Sequence, residues 1–274
     1  MSHFTLLVIG PENEEELEQI MEPFNELDLS QEEMRFDSRA EFNKKLTIEE
    51  AEEEYQKFKN TGLTTAPTYE NLDNYMDKYN GYSLNPEKTH YGYYSNPNAK
   101  WDWYQVGGRW AGWFRVKTGK IGKQGHHRAK DFASITGEKV ADLEETQVDQ
   151  VRIGDIDFEG MYLDKRLEAE NNWEKAFEKF PISEDKEEEK RRRADRHFRY
   201  DIKKEDTKEK YIEKECSLST FAVLKDKKWY ENGEMGWWGF VSDKKEEDIW
   251  DKEFNNLIKN LSPDTMVTLV DCHI

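Results

Sequence analysis

The apolar positions along this chain change their period from one segment to the next, and each change marks an element. HFTLLVI at residues 3–9 is a nearly unbroken aliphatic run closed by Gly10 and Pro11, which predicts a buried strand. Leu17, Ile20, Met21 and Phe24 then recur at helical spacing among glutamates, predicting an amphipathic helix with an acidic outer face. Thr47 and Glu50 have the form of a capping box, with Ala51, Tyr55 and Phe58 on one helical stripe behind them. Residues 61–100, rich in Gly, Pro, Asn and Tyr, predict an ordered loop with one short helix between Tyr69 and Tyr79.

Strand periodicity returns at NPNAKWDWYQVGGRWAGWF. Trp101, Trp103 and Gln105 alternate onto one face, and Gly107-Gly108 is placed to turn the chain into a second strand, WAGWFRV. GKIGKQGHHRAKD reads as a basic, glycine-rich surface loop, and IGDIDFEGMYL opens a further ordered unit. Near the end, LSTFAVLKDKKWYENGEMGWWGFVSD predicts two strands with Asn232-Gly233 as the hairpin turn. DIWDKEFNNLIKNL places Trp250, Phe254, Leu257, Ile258 and Leu261 on one helical face, and TMVTLVDCHI is a closing strand. Strand and helix at both ends predict an α+β fold: a mixed or antiparallel sheet with adjacent N- and C-terminal strands, packed by helices. No repeat of about 20 to 50 residues recurs, which sets solenoids and propellers aside.

Composition changes this picture in two places. Of 274 residues 35% are apolar and 36% charged, yet 13% are aromatic, so large rings must supply much of the burial. The charge is also unevenly spread: residues 11–60 hold seventeen Asp and Glu against six Lys and Arg, whereas residues 164–215 hold seventeen against sixteen. The second segment, with Trp173, Phe177 and Phe180 as its apolar stripe, predicts a charged helical insertion laced by i,i+4 pairs, or a mobile arm. The resulting division is one core domain of residues 1–163 and 216–274, interrupted by residues 164–215.

A net charge of −18 argues against direct nucleic-acid binding, which needs clustered Lys and Arg. It fits a partner with a basic surface. Cys216 and Cys272 are too few for a disulfide framework, and the N-terminal run lacks the basic flank and length of a signal peptide. No stretch approaches the roughly 20 apolar residues of a membrane span. The expectation is a soluble cytoplasmic protein with no membrane partner, and self-association is left open.

Several groups are candidates for chemistry. If the terminal strands pair antiparallel, His3 meets His273, with Asp271 on the face of His273. Two imidazoles and a carboxylate suit acid–base work or a divalent cation, although terminal histidines often only hydrogen-bond a sheet edge. GKQGHHR offers His126, His127, Lys123 and Arg128 to a phosphate, against the plainer reading of a flexible loop. Asp155, Asp157 and Glu159 would align on one side of an extended segment, as a cation site or simply as solvated acids. GxSxG, HExxH and CxxC are absent from the sequence, which weakens an enzyme reading.

The tryptophans form two groups, Trp101, Trp103, Trp110 and Trp113, and Trp229, Trp237 and Trp238, each interleaved with glycines. Packed inward they make a core, with Arg109 stacked on an indole and paired with Asp102; facing outward they anchor a partner. The candidate binding surface is Trp101, Asp102, Trp103, Arg109, Trp110, Glu234, Trp237 and Trp238, and the candidate catalytic set is His3, Asp271 and His273.

MSHFTLLVIG, NPNAKWDWYQVGGRW, DIDFEGM, STFAVLKDKKWYENGEMGWWGFVSD and TLVDCHI together resemble a family of uncharacterised proteins encoded by bacteriophages and prophages, over about half the chain. The resemblance implies a protein made inside a bacterial host cell and brings no cofactor or catalytic residue with it. In that company the expected function is an accessory protein that binds and inhibits, or redirects, a host protein complex, such as a defence system acting on nucleic acid. One alternative is a metal-dependent or acid–base enzyme acting on a nucleotide or nucleic acid. Another is a binder of a small nucleotide or sugar ligand, its pocket lined by indoles.

Overall fold

A computed structural model of the chain describes residues 2–27, 29–60, 69–136, 140–236 and 239–274. The first element is strand β1 (His3–Ile9), followed by helix α1 (Glu14–Met21). Then come β2 (Glu41–Thr47), α2 (Ile48–Asn60) and β3 (His90–Ser95), and after them β4 (Trp103–Gly108), β5 (His126–His127), α3 (Arg128–Thr136) and β6 (Gln150–Arg152). The charged region carries α4 (Phe158–Lys179), α5 (Lys186–Tyr200) and α6 (Lys208–Glu215). The chain closes through β7 (Ala222–Lys225), β8 (Lys228–Glu231), α7 (Glu247–Ile258) and β9 (Met266–His273). By their contacts these elements group into two compact units, Met1–Leu17 with Tyr104–Ile274, and Glu18–Trp103.

The first unit is built on a mixed seven-stranded sheet in the order β8-β7-β1-β9-β4-β5, with β6 also paired to β9. The terminal strands are neighbours, as the strand and helix pattern at both ends predicts: β1 and β9 pair antiparallel from His3↔His273 to Ile9↔Val267. On its other side β1 pairs parallel with β7. Flanked by strands on both edges and covered on both faces, β1 needs the unbroken aliphatic run that it has. Leu7, Ile9, Val267 and Leu269 bury one face against Trp250 and Phe254 of α7, together with Phe114, Val148, Val151, Ile156 and Met161. Trp110 and Trp113 pack half-buried against this core, so indoles do contribute its cohesion.

The sheet departs from the expected strand pairings at two turns. β7 and β8 do form a hairpin, but its turn is Asp226-Lys227, both at positive φ of 51° and 60°. Asn232-Gly233 instead leads from β8 to a two-residue strand, Glu234–Met235, which pairs with Val241–Ser242. Gly107-Gly108 makes no hairpin either. It ends β4, which pairs in parallel with β5 (Gly107↔His126, Gly108↔His127), while the second tryptophan strand is only Phe114–Arg115 and pairs with Gln147–Val148.

The charged insertion is helical and has a core of its own. Ala169, Ala176, Ile202, Tyr211, Ile212 and Cys216 are buried together, with Trp173, Phe177 and Tyr200 against them. Asp157, Asp185 and Thr207 cap α4, α5 and α6 through side-chain oxygens that accept N–H groups of the first turns. Of the expected i,i+4 pairs, Arg166–Glu170, Arg192–Glu188, Arg193–Glu189 and Arg199–Asp195 are present.

In the second unit β2, β3 and Ser83–Leu84 make a small antiparallel sheet. α2 lays Ala51 and Tyr55 onto Tyr75, Met76 and Tyr91. The capping box forms as the sequence predicts: Glu50 N–H donates to Thr47 Oγ1, and Thr47 N–H to Glu50 Oε2. The expected helix between Tyr69 and Tyr79 is a single turn, Leu72–Tyr75, widening into a π-turn at Met76–Asn80. Residues 61–68 of the predicted loop lie outside the described residues.

Candidate functional site

The β1–β9 register sets His3 opposite His273, and alternation along β9 puts Asp271 on the same face. The three side chains that the sequence singled out therefore meet. His3 Nδ1 lies 2.7 Å from Asp271 Oδ1, and the His3 and His273 rings stand edge to face with centroids 4.9 Å apart. Asp271 is fully buried, and its Oδ2 accepts the Arg109 N–H at 2.9 Å.

A fourth residue joins the network. Arg128, the first residue of α3, places Nη1 3.2 Å from His3 Nε2. A guanidinium has donors only, so Nε2 is the acceptor there and Nδ1–H donates to Asp271. This is the neutral imidazole. Burial pushes its pKa below the ordinary histidine value of 6.5 against the pull of Asp271, and the charges of Arg109 and Arg128 act in the same direction as burial. An imidazole oriented by a buried carboxylate is the arrangement of a general base, but here the base nitrogen faces an arginine. Among the described residues no group of three or more His, Cys, Asp and Glu side chains comes together to hold a metal ion.

The loop that carries Arg109 is strung between two buried carboxylates, one of which the sequence reading missed. Asp149 is fully buried; its Oδ1 accepts N–H groups of Gly112 and Trp113 at 2.7 and 3.2 Å, and its Oδ2 accepts that of Gly125 at 2.8 Å. Burial pushes the Asp149 carboxyl pKa up despite these three donors. The paired glycines let the backbone pass both acids. A Cβ on Gly107 would sit 2.7 Å from Asp149 Oδ2, and one on Gly108 2.4 Å from Asp271 Cβ, with φ of +77° and +58°. The signal for Asp149 was a lone acid between Val148 and Val151.

GKQGHHR is not a loose loop. Lys123 exchanges backbone hydrogen bonds with residues 149 and 150, and a Cβ on Gly125 would lie 2.3 Å from Val106 O, so the segment is pinned along the sheet. Asp155, Asp157 and Glu159 do not align, because a 3-10 turn at Ile153–Asp155 runs straight into α4. Asp155 pairs with Lys120, and Asp157 caps α4 while holding the Arg115 guanidinium.

The candidate binding residues are dispersed in their roles. Trp101 is buried in the second unit, bridged to Asn25, and Asp102 Oδ1 accepts the Trp103 N–H. Trp103 is half-buried at the start of β4, Arg109 is exposed, Trp110 packs half-buried on the core, and Glu234 is exposed. Trp237 and Trp238 lie outside the described residues; Gly236 and Gly239, which flank them, bond to Ser2. The Ser2 hydroxyl, beside His3, donates to Gly236 O and accepts the Gly239 N–H.

Among the described residues no helix is long and apolar enough to cross a membrane. Comparison with known proteins finds no matching family model, no matching curated protein and no matching solved structure.

Proposed function

We propose that this is a phage-encoded accessory protein that binds a host protein complex with a basic surface and inhibits or redirects it, a defence system acting on nucleic acid being the target class. The observation that supports this is the one-sided charge of its amphipathic helices. α2 turns Ala51 and Tyr55 inward while Glu49, Glu50, Glu52 and Glu53 stay exposed, and α1 buries Leu17 and Met21 and exposes Glu14, Glu15, Glu16 and Glu18. Carboxylates fixed on a folded face steer a basic partner and raise its association rate by about 10-fold to 1,000-fold, an effect that salt screens. The test is a pull-down from bacterial lysate with the wild-type chain and with Glu49→Lys/Glu52→Lys/Glu53→Lys. A partner retained at physiological salt by the wild type and lost by the variant supports the reading; no retained partner overturns it.

A second reading, acid–base chemistry on a nucleotide or nucleic acid, is favoured by the 2.7 Å contact between His3 and Asp271 beside His273. Its test is turnover of a nucleotide and RNA panel by the purified protein. Activity lost in a folded His273→Ala variant supports it, and activity that survives the substitution refutes it.

A further inference from the structure

We infer that Arg128 is a latch on the base nitrogen of His3, and that a phosphate group is the ligand that draws it off. The inference rests on the acid–base reading of this site and adds what controls it. His3 cannot act as a base while Nε2 is spent as an acceptor for the Arg128 guanidinium at 3.2 Å. Its ring is closed in as well, with 3% of the side chain exposed, and Asp271 has none.

Several elements bring titratable and charged groups to the ring. β1 supplies His3, β9 supplies Asp271 and His273, the loop after β4 supplies Arg109, and α3 supplies Arg128. Arg109 and Arg128 thus bring two guanidiniums to the ring in a chain of net charge −18. Arg109 is exposed and Arg128 half-buried, whereas His273 and Asp271 are buried. An incoming ligand meets the guanidiniums first, and their chemistry selects an oxyanion. Arginine binds phosphate through two parallel N–H donors, a stronger and more directional contact than one neutral hydrogen bond to an imidazole nitrogen.

When Arg128 turns its fork to a phosphate, Nε2 regains its lone pair and can take a hydroxyl proton from the ligand or a water. Asp271 then stabilises the imidazolium that forms. Binding and activation are thereby one event, and the unliganded site stays inert.

The experiment is nitrogen-15 NMR of the histidine side chains in the full-length protein. Inorganic phosphate and adenosine monophosphate are titrated separately, with sodium chloride at matched ionic strength as control. The latch predicts a saturable shift of the His3 Nε2 resonance with phosphate groups and none with chloride. A response to the nucleotide alone identifies the nucleotide as the ligand source, and a response to both identifies the phosphate group itself. Arg128→Gln should give the shifted resonance with no ligand and weaken phosphate binding at least tenfold. Arg128→Lys, which keeps the charge and loses the fork, should fall between the two.

An Nε2 resonance unmoved by either phosphate ligand overturns the latch, as does an Arg128→Gln chain whose resonance matches the wild type. The two ideas fail separately. Turnover that needs His273 with no phosphate response removes the latch and leaves the acid–base reading. A phosphate response in a protein without turnover removes the reading and leaves an anion switch.

Discussion

Replacing Gly108 with Ala tests whether the glycine pair exists to let the backbone pass the buried carboxylates. The added Cβ would fall 2.4 Å from both Asp271 Cβ and Oδ2, inside any real contact, at a φ of +58°. The backbone conformation alone costs about 1–2 kcal/mol for a residue with a Cβ. Relieving the overlap means shifting a β9 residue that is hydrogen-bonded to His3 and to Arg109, at an overpacking cost of about 1–3 kcal/mol. Together about 2–5 kcal/mol of the first unit's stability should go, and at about 2–4 °C per kcal/mol the melting temperature should fall by roughly 4–20 °C. The control is Gly119→Ala, at φ +77° with nothing within 4 Å of the added Cβ, which carries the conformational cost without the clash. Tryptophan fluorescence melts of the three proteins measure the difference. Equal losses in the two variants would refute the close-approach account and leave only the backbone angle.

Three further outcomes follow from the same geometry. Asp149→Asn presents an amide donor to one of three buried N–H groups, and should cost about 1–3 kcal/mol for each donor left unsatisfied, read from urea unfolding. His3 is held below its ordinary value of 6.5, so the unfolded chain binds its proton first as pH falls. Stability should therefore drop below about pH 6.5 until the lower folded value is passed, and a His3→Gln variant compared across that window should lack this component of the slope. Glu189 accepts from Arg196, which is 4% exposed, and from Arg193 and the Ser183 N–H. Glu189→Ala strands a buried guanidinium at a cost of about 3–5 kcal/mol, and hydrogen exchange should quicken in α5 while β1 and β9 keep their protection.

The sequence by itself determined the elements whose cause is local. The period of β1, the apolar face of α7 and the Thr47–Glu50 cap are all set within a few residues, so spacing suffices to read them. It also placed His3, Asp271 and His273 at the ends of two buried strands, and the antiparallel β1–β9 register then brought them together. Tertiary structure decided everything that depends on distant chain segments meeting. Arg128 reaches His3 across 125 positions, and Asp149 collects N–H groups from residues 24 to 37 positions away. Gly107 and Gly108 read locally as a turn, but their φ values serve carboxylates from β9 and from the segment before β6. The hairpin turn falls at Asp226-Lys227, in the register that pairs β7 with both β1 and β8, so the local preference of Asn-Gly yields to pairing along the sheet. Periodicity reports which face of an element is buried, and only closure of the chain decides what that face is buried against.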